Sequence, residues 1–86
     1  MHLLVRYKVF DFVKWKSAYD GHLSARQKAG LKEIYLFRNT DDPNDVTLVF
    51  SVEDVHKAKT FVLSDDLHHA MEKGGAMGGP EASFLN

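Results

Sequence analysis

The apolar positions change their spacing several times along the chain, and each change marks an element. His2 to Phe10 (HLLVRYKVF) is rich in β-branched and aromatic residues and predicts a first strand. Asp11 stands where an N-cap belongs, its carboxylate able to accept the free amide hydrogens of a helix start. From Phe12 the period becomes helical. Phe12, Trp15, Tyr19, His22, Arg26 and Ala29 step by three or four, and Gly30 follows as a C-terminal stop. Leu31 to Thr40 predicts a second strand and Val46 to Val52 a third. The turn formers Asp41 to Asp45 between them predict an antiparallel hairpin. Ser51 to Asp54 has the spacing of an N-terminal capping box, and Val55, Ala58 and Val62 carry the helical stripe behind it.

Ser64-Asp65-Asp66 predicts a second cap and a short helix with Leu67, Ala70 and Met71 inward, closed by Lys73-Gly74. Gly75 to Pro80 (GAMGGP) then predicts a flexible connection, and Glu81 to Leu85 a last short strand. The order is a split βαβ, or ferredoxin-like βαββαβ, α+β fold over residues 1–86 as a single domain. It is one antiparallel four-stranded sheet with its helices on one face.

A sheet with one face in water alternates apolar and polar residues cleanly. These strands do not. The second places Ile34 and Leu36 on one face and Tyr35 and Phe37 on the other. The third places Val46, Leu48, Phe50 and Val52 on one face with Val49 opposite. Helices cover only one face, so a second copy is the simplest cover for the other, in a two-fold homodimer with sheets face to face.

Composition sharpens this. At 86 residues a chain buries only roughly 60–65% of the surface it exposes when unfolded, so its core needs help. Small scaffolds find that help in disulfides, metals or oligomers. With 0 cysteines, disulfides, thiolate metal sites and a thiol nucleophile are excluded, which again favours the oligomer. The 11 Lys+Arg and 12 Asp+Glu nearly balance and form no basic stripe, so nucleic-acid binding is not expected. Apolar stretches are strand-length, short of the roughly 20 residues a membrane helix needs. The N-terminus shows no charged–apolar–small cleavage pattern. A cytoplasmic protein with no membrane partner is expected.

The candidate chemistry lies on helix one. His22 and Arg26 fall in the middle of its inward stripe, where polar groups are costly unless hydrogen-bonded or hydrated. The functional reading is a pocket between this helix and the sheet. Trp15 and Tyr19 would form apolar walls, His22 a titratable group, and Arg26 an anchor for an anion or a carbonyl. The structural reading is that His22 bonds a backbone carbonyl and Arg26 snorkels to an acidic partner. Arg38 shares a face with Ile34 and Leu36, and is either at the strand end in solvent or directed into the same pocket. Tyr7 and Tyr35 fit core or dimer interface better than catalysis. His68 and His69 are adjacent and diverge, with His68 at the pocket rim and His69 outward; His56 is exposed. No metal site is expected. The glycines from Gly74 to Gly79 lack the Lys-Ser/Thr of a phosphate loop.

Asp11-Phe12-Val13-Lys14-Trp15-Lys16, with Asp20-Gly21-His22 and Arg26, resembles the helix-one signature of small dimeric α+β barrel proteins. Phe37-Arg38-Asn39, Asp41 to Val46, Ser64-Asp65-Asp66-Leu67, Pro80-Glu81 and Phe84-Leu85 continue the resemblance to the end. The chain is thereby similar to an uncharacterised branch of the antibiotic-biosynthesis-monooxygenase-like superfamily. The resemblance implies the dimeric α+β barrel and a pocket between sheet and helices. It brings a range of chemistries: cofactor-free monooxygenases acting on aromatic compounds, haem-degrading monooxygenases, muconolactone isomerases and polyketide cyclases. Haem-degrading members use an Asn on the first strand, and HLLVRYKVF has none. Two functions are therefore carried forward. One is a cofactor-independent monooxygenase, isomerase or cyclase acting on a small aromatic or carbonyl compound. The other is a non-catalytic ligand-binding or accessory domain.

Overall fold

The computed structural model describes residues 1–64, 67 and 75–86. Its elements run β1 (His2–Val9), α1 (Phe12–Gly21), α2 (Leu23–Lys28), β2 (Leu31–Arg38), β3 (Asp45–Val52), α3 (Val55–Val62) and β4 (Ala76–Leu85). The strands form one antiparallel sheet in the order β2-β3-β1-β4, which is the ferredoxin-like α+β arrangement. Leu3, Tyr7 and Val9 of β1 and Val46, Leu48 and Phe50 of β3 form the core with Trp15 from α1 and Ala58 from α3. The central strands thus supply the floor and the helices close it on one side.

Caps set the helix starts. The Asp11 carboxylate accepts from the Val13 and Lys14 amides, 2.9 and 3.4 Å away, as expected of an N-cap. The other cap differs from expectation. Asp54 itself caps α3, accepting from His56 and Lys57 at 3.0 and 3.2 Å. Ser51 cannot cap because it is still in β3, paired with His2. Ser64 behaves as the cap expected there: its hydroxyl accepts the Leu67 amide at 3.2 Å. The short helix expected over residues 65–74, with His68 and His69, lies outside the described residues apart from Leu67.

Helix one is two helices. It breaks at His22, where φ is −100° and ψ 14°. The Tyr19 carbonyl, which in an unbroken helix accepts from the residue four on, instead takes the His22 amide at 3.1 Å and the Arg26 guanidinium at 2.6 Å. Gly21, just before the break, costs about 1 kcal/mol in a helix interior relative to alanine and gives way there. After α2, Gly30 has φ +74°, the left-handed geometry of a helix stop. A side chain at that point would also come within 3.3 Å of the Glu53 Cβ.

Two register shifts alter the faces of the sheet. Leu31 and Glu33 pair with Val52 and Phe50, but past Ile34, which has no partner, Leu36 and Arg38 pair with Leu48 and Val46. Ile34 therefore does not share the inward face with Leu36, as strict alternation had suggested; Glu33 does. On β4, the register against β1 shifts between Arg6 and Lys8. This strand begins at Ala76, so the stretch expected as a flexible connection is mostly strand. It lies on the sheet edge, and Pro80 falls in the register shift between Met77 and Glu81, a position where strands accept proline.

The outer face carries Tyr35 and Phe37 with their rings stacked, centroids 5.3 Å apart and planes 17° off parallel. They remain 55% and 53% exposed. On the same side Arg6 grips Asp45 through two bonds of 3.2 and 2.8 Å. That bond and the guanidinium charge hold the Asp45 carboxyl below the usual carboxylate range.

Candidate functional site

Between α1, α2, α3 and the sheet lies a cavity of about 80 Å³. Its floor is aliphatic and aromatic: Leu3, Val5, Leu48 and Phe50. Trp15, Tyr19, His22 and Arg26, drawn together from the sequence, all stand in its wall. Arg38 does not line it. Its guanidinium lies 3.8 Å from the centre of the Phe12 ring and donates to the Pro43 carbonyl at 2.9 Å. His68 lies outside the described residues.

The helix break builds the wall. Tyr19 sits in a stack, with the Trp15 ring 4.9 Å away and nearly parallel and the Arg26 guanidinium 3.6 Å from the ring centre. Arg26 reaches that position because its head folds back onto the Tyr19 carbonyl. It is 7% exposed and makes no ion pair among the described residues. Cation–π stacking and one carbonyl bond therefore replace the acidic partner expected of a buried arginine.

The two inward tyrosines differ in where their protons go. Tyr19 donates to Glu33 at 2.8 Å. Glu33 reaches it because it shares the inner face with Leu31, and the Ile34 shift keeps Leu36 on that face as well. Tyr7 instead accepts the indole N–H of Trp15 at 2.6 Å, and its ring meets Trp15 edge-on at 5.8 Å. Tyr7 was read from the sequence as core or interface. The signal that could have marked it is a hydroxyl at an inward position of β1, between the apolar Val5 and Val9.

Burial pushes the Tyr7 phenol from its ordinary 10.0 up to about 12. Burial, with the Glu33 bond, pushes Tyr19 up as well. A phenol raised in the folded state contributes stability that is intact below about pH 10 and lost as pH climbs through 12. Thermal melting of the wild type should therefore fall steeply across that window. Tyr7→Phe should flatten the limb by up to about 3 kcal/mol, two pKa units' worth, leaving the part due to Tyr19. A limb unchanged in Tyr7→Phe would assign the loss to other groups.

His22 is half-buried, its ring 5.8 Å from that of Phe61 on α3. Among the described residues its ring nitrogens have no hydrogen-bond partner, so the backbone-carbonyl bond of the structural reading is not formed there. No described cluster of His, Asp and Glu side chains is arranged to hold a metal ion. No described helix is long and apolar enough to cross a membrane.

No protein-family model and no curated protein matches the chain. Solved structures do. A candidate antibiotic biosynthesis monooxygenase from Bordetella bronchiseptica superposes with a TM-score of 0.74 at 17% identity, over 95% of this chain and 90% of that one. Another from Caulobacter crescentus gives 0.72 at 12%, over 98% and 85%. SnoaB, a cofactor-independent oxygenase from Streptomyces nogalater, gives 0.71 at 10%, over 99% and 91%. At these identities the likeness speaks to architecture, and it agrees with the resemblance read from the sequence. The chain has the fold of the antibiotic-biosynthesis-monooxygenase-like proteins.

Proposed function

We propose that the cavity is a small-molecule site and that the protein is a cofactor-independent catalyst of proton abstraction from a small aromatic or carbonyl compound. The observation carrying this reading is His22, half-buried in the cavity wall with ring nitrogens that no described residue hydrogen-bonds, one turn from a buried arginine. The phenols of Tyr7 and Tyr19 are poor bases near neutral pH because burial holds their protons. Proton removal therefore falls to His22, with Arg26 stabilising the enolate or phenolate that forms. Trp15 and Tyr19 hold the ring. Returning the proton to another carbon is isomerisation; attack of the carbanion on a second carbonyl of the same molecule is cyclisation, the π pair going to that oxygen, which takes the proton back; delivering the carbanion's electrons to dioxygen starts an oxygenation.

The room available restricts the substrate. A cavity of about 80 Å³ is roughly half of one that takes up benzene. A compound of a few heavy atoms, or the carbonyl head of a larger one, suits it; a whole aromatic ring needs the walls to part, and a fused polycycle needs them to part further. The test is turnover of monocyclic phenols and small enolisable ketones, followed by proton exchange and dioxygen uptake. His22→Gln should lower the rate about 10²–10⁴-fold with binding little changed. An unaltered rate would remove His22 from the reaction.

One observation favours the non-catalytic reading: no described group orients the His22 ring, and working bases are usually oriented by a third residue. That reading expects binding with no turnover in the wild type. We further propose a homodimer through the outer sheet face. Its support is the exposed Tyr35–Phe37 stack beside Ile34, Val49 and Leu4.

A further inference from the structure

The polar groups of the cavity are unequal in kind, and that inequality bears on the ligand. Tyr7 has its oxygen engaged by the Trp15 indole N–H at 2.6 Å. Its own hydrogen has no acceptor among the described residues, and the residue lines the cavity. Arg26 uses Nη1 on the Tyr19 carbonyl. Its remaining N–H groups have no described acceptor, yet no fully buried side-chain nitrogen among the described residues lacks a partner. Among the described residues those N–H groups are left to the cavity and to the adjoining groove that Arg26 also borders. No carboxylate lines the cavity among the described residues; Glu33 lies beyond it and takes the Tyr19 proton.

Among the described residues, two donors and a positive charge thus border a space that is otherwise apolar but for His22. A buried guanidinium without a counter-charge is expensive to maintain, and an unused buried hydroxyl hydrogen adds to that. Both are satisfied by one kind of guest. We infer that the cavity is built for a ligand whose polar head is an oxyanion, a carboxylate or enolate, held by Tyr7 Oη–H and the Arg26 guanidinium. Its small apolar body rests on Leu3, Val5, Leu48 and Phe50. This rests on the reading of the cavity as a ligand site and narrows it to acids. It also makes Tyr7 a binding residue.

The fold supports Tyr7 in that role. The β4 register shift falls directly opposite it, between Arg6 and Lys8, and such irregularities in sheets gather beside functional sites, where they re-aim side chains. The phenol raised to about 12 keeps its proton from the pH at which a carboxylate ionises up to about that value.

The experiment compares probes of equal shape and different charge by ligand-observed NMR and titration calorimetry on the full chain. Isobutyrate and benzoate are set against isobutyramide, benzamide and benzylamine. The acids should bind at least about tenfold more tightly than the amides, and benzylamine should not compete. Tyr7→Phe and Arg26→Met should each erase the preference of acid over amide. The wild-type comparison needs no variant, so a misfolded substitution leaves the inference exposed to refutation. Amides or benzylamine binding as well as the acids would overturn it, as would a folded Tyr7→Phe with its acid preference intact, or no binding of either acid. Failure of catalysis is distinguishable. Acids bound with no turnover of any compound would leave this inference standing and end the catalytic reading. Turnover of neutral ketones with no preference for acids would do the reverse.

Discussion

The wild type is expected to be a dimer, and replacing Tyr35 and Phe37 together by aspartate to give a folded monomer. Each ring is more than half exposed on the isolated chain, so its loss removes nothing from the core. In a two-fold interface, however, every substitution counts twice. Burying an aromatic ring in full stabilises by about 1.5–3 kcal/mol; with about half of each left to bury, removing four rings takes away roughly 3–6 kcal/mol, a weakening of about 10²–10⁴-fold. The four added carboxylates would then oppose one another across the two-fold. Sedimentation equilibrium across a concentration series is the measurement. Wild-type melting should also rise with protein concentration, and that of the variant should not. A wild type that sediments as a monomer throughout would dispose of the proposed interface.

The second large effect is on the fold itself. Trp15→Ala should cost about 3–5 kcal/mol, a large share of the roughly 4–13 kcal/mol of stability expected of a chain of 86 residues. Trp15 is 2% exposed, and its ring lies within 5.8 Å of Tyr7, 5.7 Å of Phe12 and 4.9 Å of Tyr19. Its removal opens the centre of the core, strips Tyr7 of its N–H partner and unseats the stack beneath Arg26. Urea denaturation read by far-ultraviolet circular dichroism should show the loss. Trp15→Phe should recover most of it, since a ring remains. A Trp15→Ala midpoint close to wild type would mean that the aromatic stack is peripheral to stability.

Much of this arrangement is legible in the residues. The strand order, the Asp11 cap, the hairpin after Arg38 and the inward stripe of α1 all follow from local chemistry acting at short range. Trp15, Tyr19, His22 and Arg26 were drawn together because a wheel at about 100° per residue puts them on one side. What the pattern could not reveal is a change that preserves it. Steps of three and four pass through Tyr19, His22 and Arg26 whether or not the helix breaks, and only Gly21 hinted at the break. Likewise Ile34, Tyr35, Leu36 and Phe37 are apolar on both faces, so alternation could not detect an unpaired residue among them. Placing Glu33 under Tyr19 required knowing that register. The glycines of β4 misled because their low strand propensity was read without the neighbour that pairs them. Arg38 went elsewhere because the Phe12 ring and the Pro43 carbonyl were closer partners than the cavity.

The unpaired Ile34 has a consequence for how the chain can vary. It reverses parity in β2: odd-numbered residues point inward before it and even-numbered ones after it. Leaving this one residue out of the ladder keeps the carboxylate that holds Tyr19 on one side of the sheet and the two stacked rings on the other. Deleting it would straighten the strand and keep both faces, because Glu33 and Tyr35 already pair with the consecutive residues Phe50 and Val49. Drawing Ile34 into the ladder would not: either Glu33 would turn away from Tyr19, or Tyr35 and Phe37 would be driven beneath the helices. Substitution or loss at this position is thus a small matter of surface. The slack it holds lets the face proposed to meet a second copy and the face that closes the cavity each keep its own alternation.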